Sequence, residues 1–237
     1  MQRYIAKLDE NNNIILSEND IFHVEHVMRM KLHDEVEVLI DSEVYLCEVA
    51  SFNPLKLDII HKVDTYNELG VKIKLFYCIP KGDKIDLVLQ KATELGVSEI
   101  YLVNSSRTIA KITKDNKKKK FERFNKIIKE AVEQSKRNCI PELVDVIDFK
   151  DVIKYNSDLN LIAYERCSDD VKDLKTLLQE FKGQTISVLI GAEGGFSKEE
   201  VEYVCDNGYK SVTLGKRILR SETAVFYFLS ILGYEFE

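Results

Sequence analysis

Two apolar runs near the carboxyl end, each passing through a glycine-bearing loop into a helix-like stretch, constrain this fold most. The first reads Thr185-Ile-Ser-Val-Leu-Ile-Gly-Ala-Glu-Gly-Gly-Phe-Ser197, the second Val212-Thr-Leu-Gly-Lys-Arg-Ile-Leu-Arg-Ser-Glu-Thr-Ala224. Strand, polar loop and helix in succession is the grammar of an open α/β sheet, and such sheets hold ligands at their strand ends. The segments before them follow the same grammar. Val71 to Ile79, Glu99 to Val103, Asn160 to Tyr164, Thr185 to Ile190 and Lys210 to Leu214 read as buried strands. Between them lie expected helices: Ile85 to Leu95 closed by Gly96, Asp115 to Ser135, Val171 to Phe181, one capped by Ser197 with Glu200, and Glu222 to Leu232. Residues 69–237 are therefore expected to form a mainly parallel sheet covered by helices.

Residues 1–68 read differently. Short strands are expected at Tyr4 to Leu8, Asn13 to Leu16, Asp34 to Ile40, Val44 to Phe52 and Leu55 to Val63. One helix, capped by Ser17 with Asp20, is expected to run towards Met30, and Asp41-Ser42 is the expected turn. Val36, Val38 and Ile40 alternate with polar residues, as do Leu55, Leu57 and Ile59, the period of a half-buried strand. This spacing suggests a small β-barrel, a common RNA-docking module. The polar stretch Asp64 to Gly70 is the expected boundary.

Charge identifies a partner class. Between Arg107 and Arg137 stand twelve Lys/Arg against four Asp/Glu, a local +8 in a chain of formal net charge −6, so the remainder carries −14. A basic block in an acidic chain points to a polyanion, although a solvated helix face is the plain alternative. The residues proposed for RNA contact are Arg29, Arg107, Lys111, Lys114, Lys117, Lys118, Lys119, Lys120 and Arg137. Five scattered cysteines without a Cys-x-x-Cys pair read as reduced thiols, and His23 and His26 lack companions for a metal. Charges at Lys7, Asp9 and Glu10 break any signal-peptide core, and the apolar run 224–232 is too short to span a bilayer, so a cytoplasmic chain with no membrane partner is expected.

The loops match neither Gly-x-Gly-x-x-Gly nor the phosphate-binding Gly-x-x-x-x-Gly-Lys-Ser/Thr, and Glu193 would repel a phosphate. A nucleotide-dependent enzyme is thereby disfavoured. Arg220 can stabilise developing negative charge while Glu222 orients it or accepts a proton; Ser221 and Glu222 can equally be no more than helix-capping residues.

At these residues the chain resembles the bacterial 16S ribosomal RNA (uracil-N3) methyltransferases of the SPOUT superfamily. Three further strings carry the likeness: Glu133-Gln-x-x-Arg137-Asn-x-x-Pro-Glu142, Lys84 to Gly96, and His23-x-x-x-Val-Met-Arg29. Ala192 stands where that family usually has proline, and His33 where it usually has glycine. The resemblance implies a SPOUT-type knotted sheet after a PUA-like β-barrel, and S-adenosylmethionine-dependent methylation of one 16S rRNA uridine near the decoding centre of the 30S subunit. It also implies a homodimer without a metal. Ile190, Gly191, Glu193, Gly194, Gly195, Leu214, Gly215, Ile218, Leu219 and Ala224 would line the cofactor pocket, with Arg220 and Glu222 catalytic. A superfamily enzyme acting on other rRNA or tRNA, and a non-catalytic RNA-binding assembly factor, remain the competing readings.

Overall fold

The structure is a computed structural model that describes residues 1–82, 84–108, 112–164 and 173–237. Lys111, Cys167 and the start of the expected 171–181 helix lie outside that set. The described chain divides into two compact units, residues 1–68 with 129–139, and residues 69–128 with 140–237. The first unit is thus not the single continuous segment 1–68.

In the first unit, β1 (Arg3–Ile5), β4 (Glu35–Ile40), β5 (Glu43–Ser51) and β6 (Lys56–Val63) form a four-stranded sheet in that order. A separate ribbon pairs β2 (Lys7–Leu8) with β3 (Ile14–Ile15). The β4–β5 hairpin turns through Asp41 and Ser42, both at positive φ (48° and 69°), the backbone a tight hairpin needs. Val36, Val38 and Ile40 are buried as their alternation requires. On β6 the alternation fails. Leu57 is buried but Ile59 is 45% exposed, although the register between them is unbroken, Leu57 facing Val49 and Ile59 facing Cys47.

Ser17 caps α1 (Glu18–Phe22), its Oγ accepting from the Asp20 amide. The helix does not continue to Met30; a π-helical turn over His23–Val27 follows it. His33 sits at φ +69°, a backbone that glycine adopts more readily than a side-chain-bearing residue.

The motif Glu133 to Asn138 proves to be the internal wiring of this unit. Glu133 accepts from the Ile5 amide. The Arg137 guanidinium grips the Glu68 carboxylate, whose Oε1 also accepts from the Asn138 and Cys139 amides. Asn138 donates to the Thr65 and Ser42 carbonyls.

The second unit is built on β7 (Lys72–Cys78), β8 (Glu99–Asn104), β9 (Glu142–Asp148), β10 (Leu159–Ala163), β11 (Thr185–Ile190) and β12 (Tyr209–Val212). They form one sheet ordered β12-β10-β11-β7-β8-β9, with every pairing parallel. The mainly parallel α/β sheet expected from the sequence is observed; β9 had not been anticipated. Ile186, Val188, Leu189 and Ile190 on β11 are all buried, the near-continuous apolar run of a strand covered on both faces. The helices are α2 (Lys84–Glu94), α3 (Lys114–Ser135, whose residues from 129 on belong to the first unit), α4 (Leu174–Glu180), α5 (Lys198–Asp206) and α6 (Ser221–Phe236). Ile85, Val88, Leu89 and Ala92 form the buried face of α2, as their spacing dictates. Ser197 and Glu200 make the expected reciprocal capping box on α5.

Strand order reverses between β11 and β7. The loops that leave their carboxyl ends, together with the loop after β12, therefore converge at a switch point, where open sheets gather ligands. None of the described helices is long and apolar enough to cross a membrane.

Candidate active site

Those loops enclose a cavity of about 680 Å³, within the range of small-molecule sites. All ten residues expected at a cofactor pocket, Ile190, Gly191, Glu193, Gly194, Gly195, Leu214, Gly215, Ile218, Leu219 and Ala224, line it. Two of the glycines are there for stated physical reasons. A Cβ on Gly191 would come within 3.1 Å of the Gly195 Cα and 3.2 Å of the Phe196 ring, and Gly215 holds φ +104°. The first loop folds back so tightly on itself that a side chain at Gly191 would have to push its backbone aside by a few tenths of an ångström; the second takes a backbone that side chains resist.

Ser221 ties the two loops together. Its Oγ lies 2.6 Å from the Gly191 carbonyl and 3.1 Å from the Tyr77 hydroxyl. A carbonyl only accepts, so the single serine proton goes to Gly191 and Tyr77 donates to Ser221. Burial pushes the Tyr77 hydroxyl pKa strongly upward, so it remains a protonated donor. Ser221→Ala leaves the buried tyrosine hydroxyl unpartnered and should lower stability by about 2 kcal/mol. Thermal melts of Ser221→Ala and Ser221→Thr check this: the threonine variant, which keeps the hydroxyl, should melt several degrees higher.

Lys84, the first residue of α2, joins a third segment to the cavity. Its Nζ lies 3.2 Å from Glu193 Oε1 and 3.2 Å from Glu222 Oε2. Burial works against a charge on Glu193. Backbone amides, the Lys84 ammonium and the Lys81 amide outweigh it and hold the carboxyl below its usual range. Glu222 and then Glu193 raise Lys84 above the ordinary lysine value. Glu222 Oε2 is shielded from solvent and meets Lys84 off hydrogen-bond geometry, leaving it without a hydrogen-bond donor among the described residues.

The expected pairing of Glu222 with Arg220 is not formed. Arg220 instead occupies the N-cap of α6, exposed at the cavity, with no ion pair or side-chain hydrogen bond among the described residues. Arg217 also lines the cavity and is exposed.

The basic block divides. Arg107 lines the cavity and donates to the Gly194 carbonyl at 2.7 Å. Lys117 pairs with Asp145 and lies over the Phe121 ring, Arg123 pairs with Asp86, Lys129 with Asp20 and Lys136 with Glu37. Arg137 is 3% exposed and bound to Glu68, so the expectation that it holds RNA phosphates is corrected: a buried, paired guanidinium is not available to a polyanion. Lys114, Lys118, Lys119 and Lys120 form no ion pair among the described residues, and the first three are exposed. Arg29 is exposed in the first unit at φ +51°. His23 bonds to Tyr4 and His26 stacks on Phe22; no group of three metal-binding side chains occurs among the described residues.

Sequence reading missed Tyr77 and Lys84 as parts of the site, and for Ser221 offered helix capping as the plain alternative without the link to Gly191 and Tyr77. Beyond its place at the head of the Lys84 to Gly96 string, the signal for Lys84 was a cation where a helix begins, the end that disfavours it.

Residues 67–233 match the family model described as RNA methyltransferase domain. The chain is 32% identical over 250 residues to ribosomal RNA small subunit methyltransferase E of Bacillus subtilis (strain 168), covering 100% of this chain and 98% of that protein. Identity to the protein of the same name from Mesomycoplasma hyopneumoniae (strain 232) is 33%, over 97% of this chain and 98% of the relative. A ribosomal RNA small subunit methyltransferase E from Neisseria gonorrhoeae, solved bound to S-adenosyl methionine, matches the fold with TM-score 0.85 at 25% identity, covering 100% of this chain and 98% of that one. A Legionella pneumophila protein solved with bound SAM gives TM-score 0.86 at 27% identity over 99% and 98%.

Proposed function

The chain belongs to the RNA methyltransferase domain family, in the group named ribosomal RNA small subunit methyltransferase E, and from that premise we propose that it methylates small-subunit rRNA using S-adenosylmethionine. One observation carries the reading: ten residues from two separate loops, identified by resemblance, line a single cavity at the switch point of the sheet. The residues fit such a cofactor. Ile190, Leu214, Ile218, Leu219 and Ala224 offer apolar surface to a nucleoside, and the glycine loops present bare backbone for hydrogen bonds. Glu193 supplies an anion towards a cationic ligand. When bound, the cofactor supplies an activated methyl group.

The target atom we propose is N3 of one uridine near the decoding centre. An imide nitrogen is a poor nucleophile until its proton leaves, so the site must favour the uracilate. Arg220 supports this reading, being an unpaired guanidinium at the N-terminus of a sixteen-residue helix, where dipole and free amides also favour an anion. N3 lies on the Watson–Crick edge, so the uridine must react unpaired or flipped out. RNA phosphates would be held by Lys114 and Lys118 to Lys120 on the second unit; Arg29, on the first unit, is a separate proposed RNA contact.

A homodimer is part of the proposal. Helix α6 is apolar nearly all round; it buries Val225, Phe228, Leu229 and Leu232 yet leaves Tyr227 and Tyr234 41% and 88% exposed. An unpaired apolar helix face calls for a partner.

The test is to incubate the protein with labelled cofactor and 30S particles from cells lacking this activity, then map the modified base. A label on N3 of one 16S uridine is the expected result. A label elsewhere in rRNA would retain the enzyme class and overturn the target, and no label would favour a binding factor.

A further inference from the structure

The carboxylates of Glu193, on the loop after β11, and Glu222, in the first turn of α6, are far apart in sequence and meet the same ammonium. Lys84 lines the cavity, so this junction forms part of its wall. Glu193 is further held by the Lys81 amide at 3.3 Å, from the loop that follows β7. Three strand-end segments are thus joined at one charge. Folding alone does not favour lysine at this position. A cation in the first turn of a helix opposes the helix dipole, whereas Glu222, in the first turn of α6, is placed with its own.

We propose that Lys84 is a positioning residue of the site, a cationic clasp whose ammonium holds Glu193 and Glu222 together and so sets the separation of the two cofactor loops. The proposal rests on the cofactor reading for its consequence and on the three side chains alone for its mechanism. Lys84 has no assigned part in the chemistry; it acts through the two carboxylates. Among the described residues, Tyr77 on β7 is a further titratable group near them, kept neutral by burial, and Lys81 meets Glu193 through its amide. Arg217 and Arg220, on the second loop, form no ion pair with either carboxylate among the described residues.

The consequence is a pH signature that a merely steric lysine would lack. Glu193 has its folded pKa below the ordinary value of 4.5, so its contribution to stability is present above that pH and lost as pH falls through the folded value. Lys84 has its pKa raised, so its contribution is present below 10.5 and lost only at higher pH. Removing the ammonium takes away a stabilisation that exists across neutral pH and vanishes in acid.

Melting curves of the whole protein without ligand, compared with Lys84→Met between pH 3.5 and 8, test the clasp directly. The variant should melt lower at pH 7, and the gap should close towards pH 3.5. Glu193→Gln, which breaks the same contact from the other side, should show the same closing gap, and Lys84→Arg should remove most of it. Calorimetric titration with S-adenosylmethionine at pH 7 reads the consequence: Lys84→Met should bind about tenfold more weakly, within the usual range of a coupling between sites, and Lys84→Arg should recover. A melting gap constant across pH, or cofactor affinity unchanged in Lys84→Met, overturns the proposal. No binding heat with the unaltered protein, alongside a gap that closes in acid, overturns the cofactor reading and upholds the clasp.

Discussion

Arg220→Ala should slow methyl transfer by about 10²- to 10³-fold, the usual cost of removing one donor aimed at developing charge, while changing cofactor affinity by no more than about threefold. The asymmetry follows from where the side chain lies. Arg220 sits at the cavity with its guanidinium unpaired, and it contributes no side-chain capping bond to α6. Truncation therefore removes nothing that holds the loops, and stability should change by less than about 0.5 kcal/mol, as for other exposed positions. What is lost is a cation poised for an anion that exists only during reaction, and binding energy confined to the transition state appears in kcat. Arg220→Lys should recover part of the rate, because it keeps the charge and loses the fork that can meet two oxygens at once. Single-turnover rates together with calorimetry separate the terms. Equal losses in rate and cofactor affinity would make Arg220 a pocket residue and sink the assignment.

What could be read from sequence, and what could not, follows the range of the interaction involved. Ser17, Ser197 and the Asp41-Ser42 turn are local chemistry, decided within four residues, and each was legible. The alternating burial of β4 was legible too, whereas on β6 the same alternation left Leu57 buried and Ile59 exposed. Collecting the ten loop residues into one cavity was an inference from motif resemblance. Its physical cause is that β11 and β12 flank β10 in a parallel sheet, so their carboxyl ends open on the same side. Charge counting was the weakest guide. A tally cannot tell Lys118 from Arg137, because the partner that neutralises Arg137 is Glu68, 69 residues earlier in the chain. For the same reason the ion pairs Lys84–Glu193 and Lys84–Glu222 were invisible, and with them the separation of Glu222 from Arg220. Strand β9 was hidden differently: only Leu143 and Ile147 are buried along it, a thin apolar signal beside a motif that had drawn a functional reading.

The lysines at the start of α3 admit a test in which function and stability move in opposite directions. Replacing Lys114, Lys118, Lys119 and Lys120 together by glutamine should weaken RNA binding by about 10²- to 10³-fold at 0.1 M salt and flatten the slope of log affinity against log salt by about 3, the release expected for four phosphate contacts. Lys117 is left in place, because its ammonium already serves Asp145. The same variant should be more stable than the parent. Lys114 stands in the first helical turn, where the dipole disfavours a cation, and Lys114 with Lys118 is a like-charge pair one turn apart, as is Lys117 with Lys120. Relief of these repulsions is worth about 1 kcal/mol, and a domain of this size should then melt about 2–4 °C higher. Asp115 and the Asn116 side chain, which accepts from the Thr113 amide, already stabilise this helix start, so the lysines are not needed to form it. A chain selected for folding alone would not keep such a cluster there. Filter binding across a salt series, with melting curves on the same samples, reads both effects. An unchanged slope would return these lysines to a solvated face, and a lower melting point would show that they support the helix they were argued to strain.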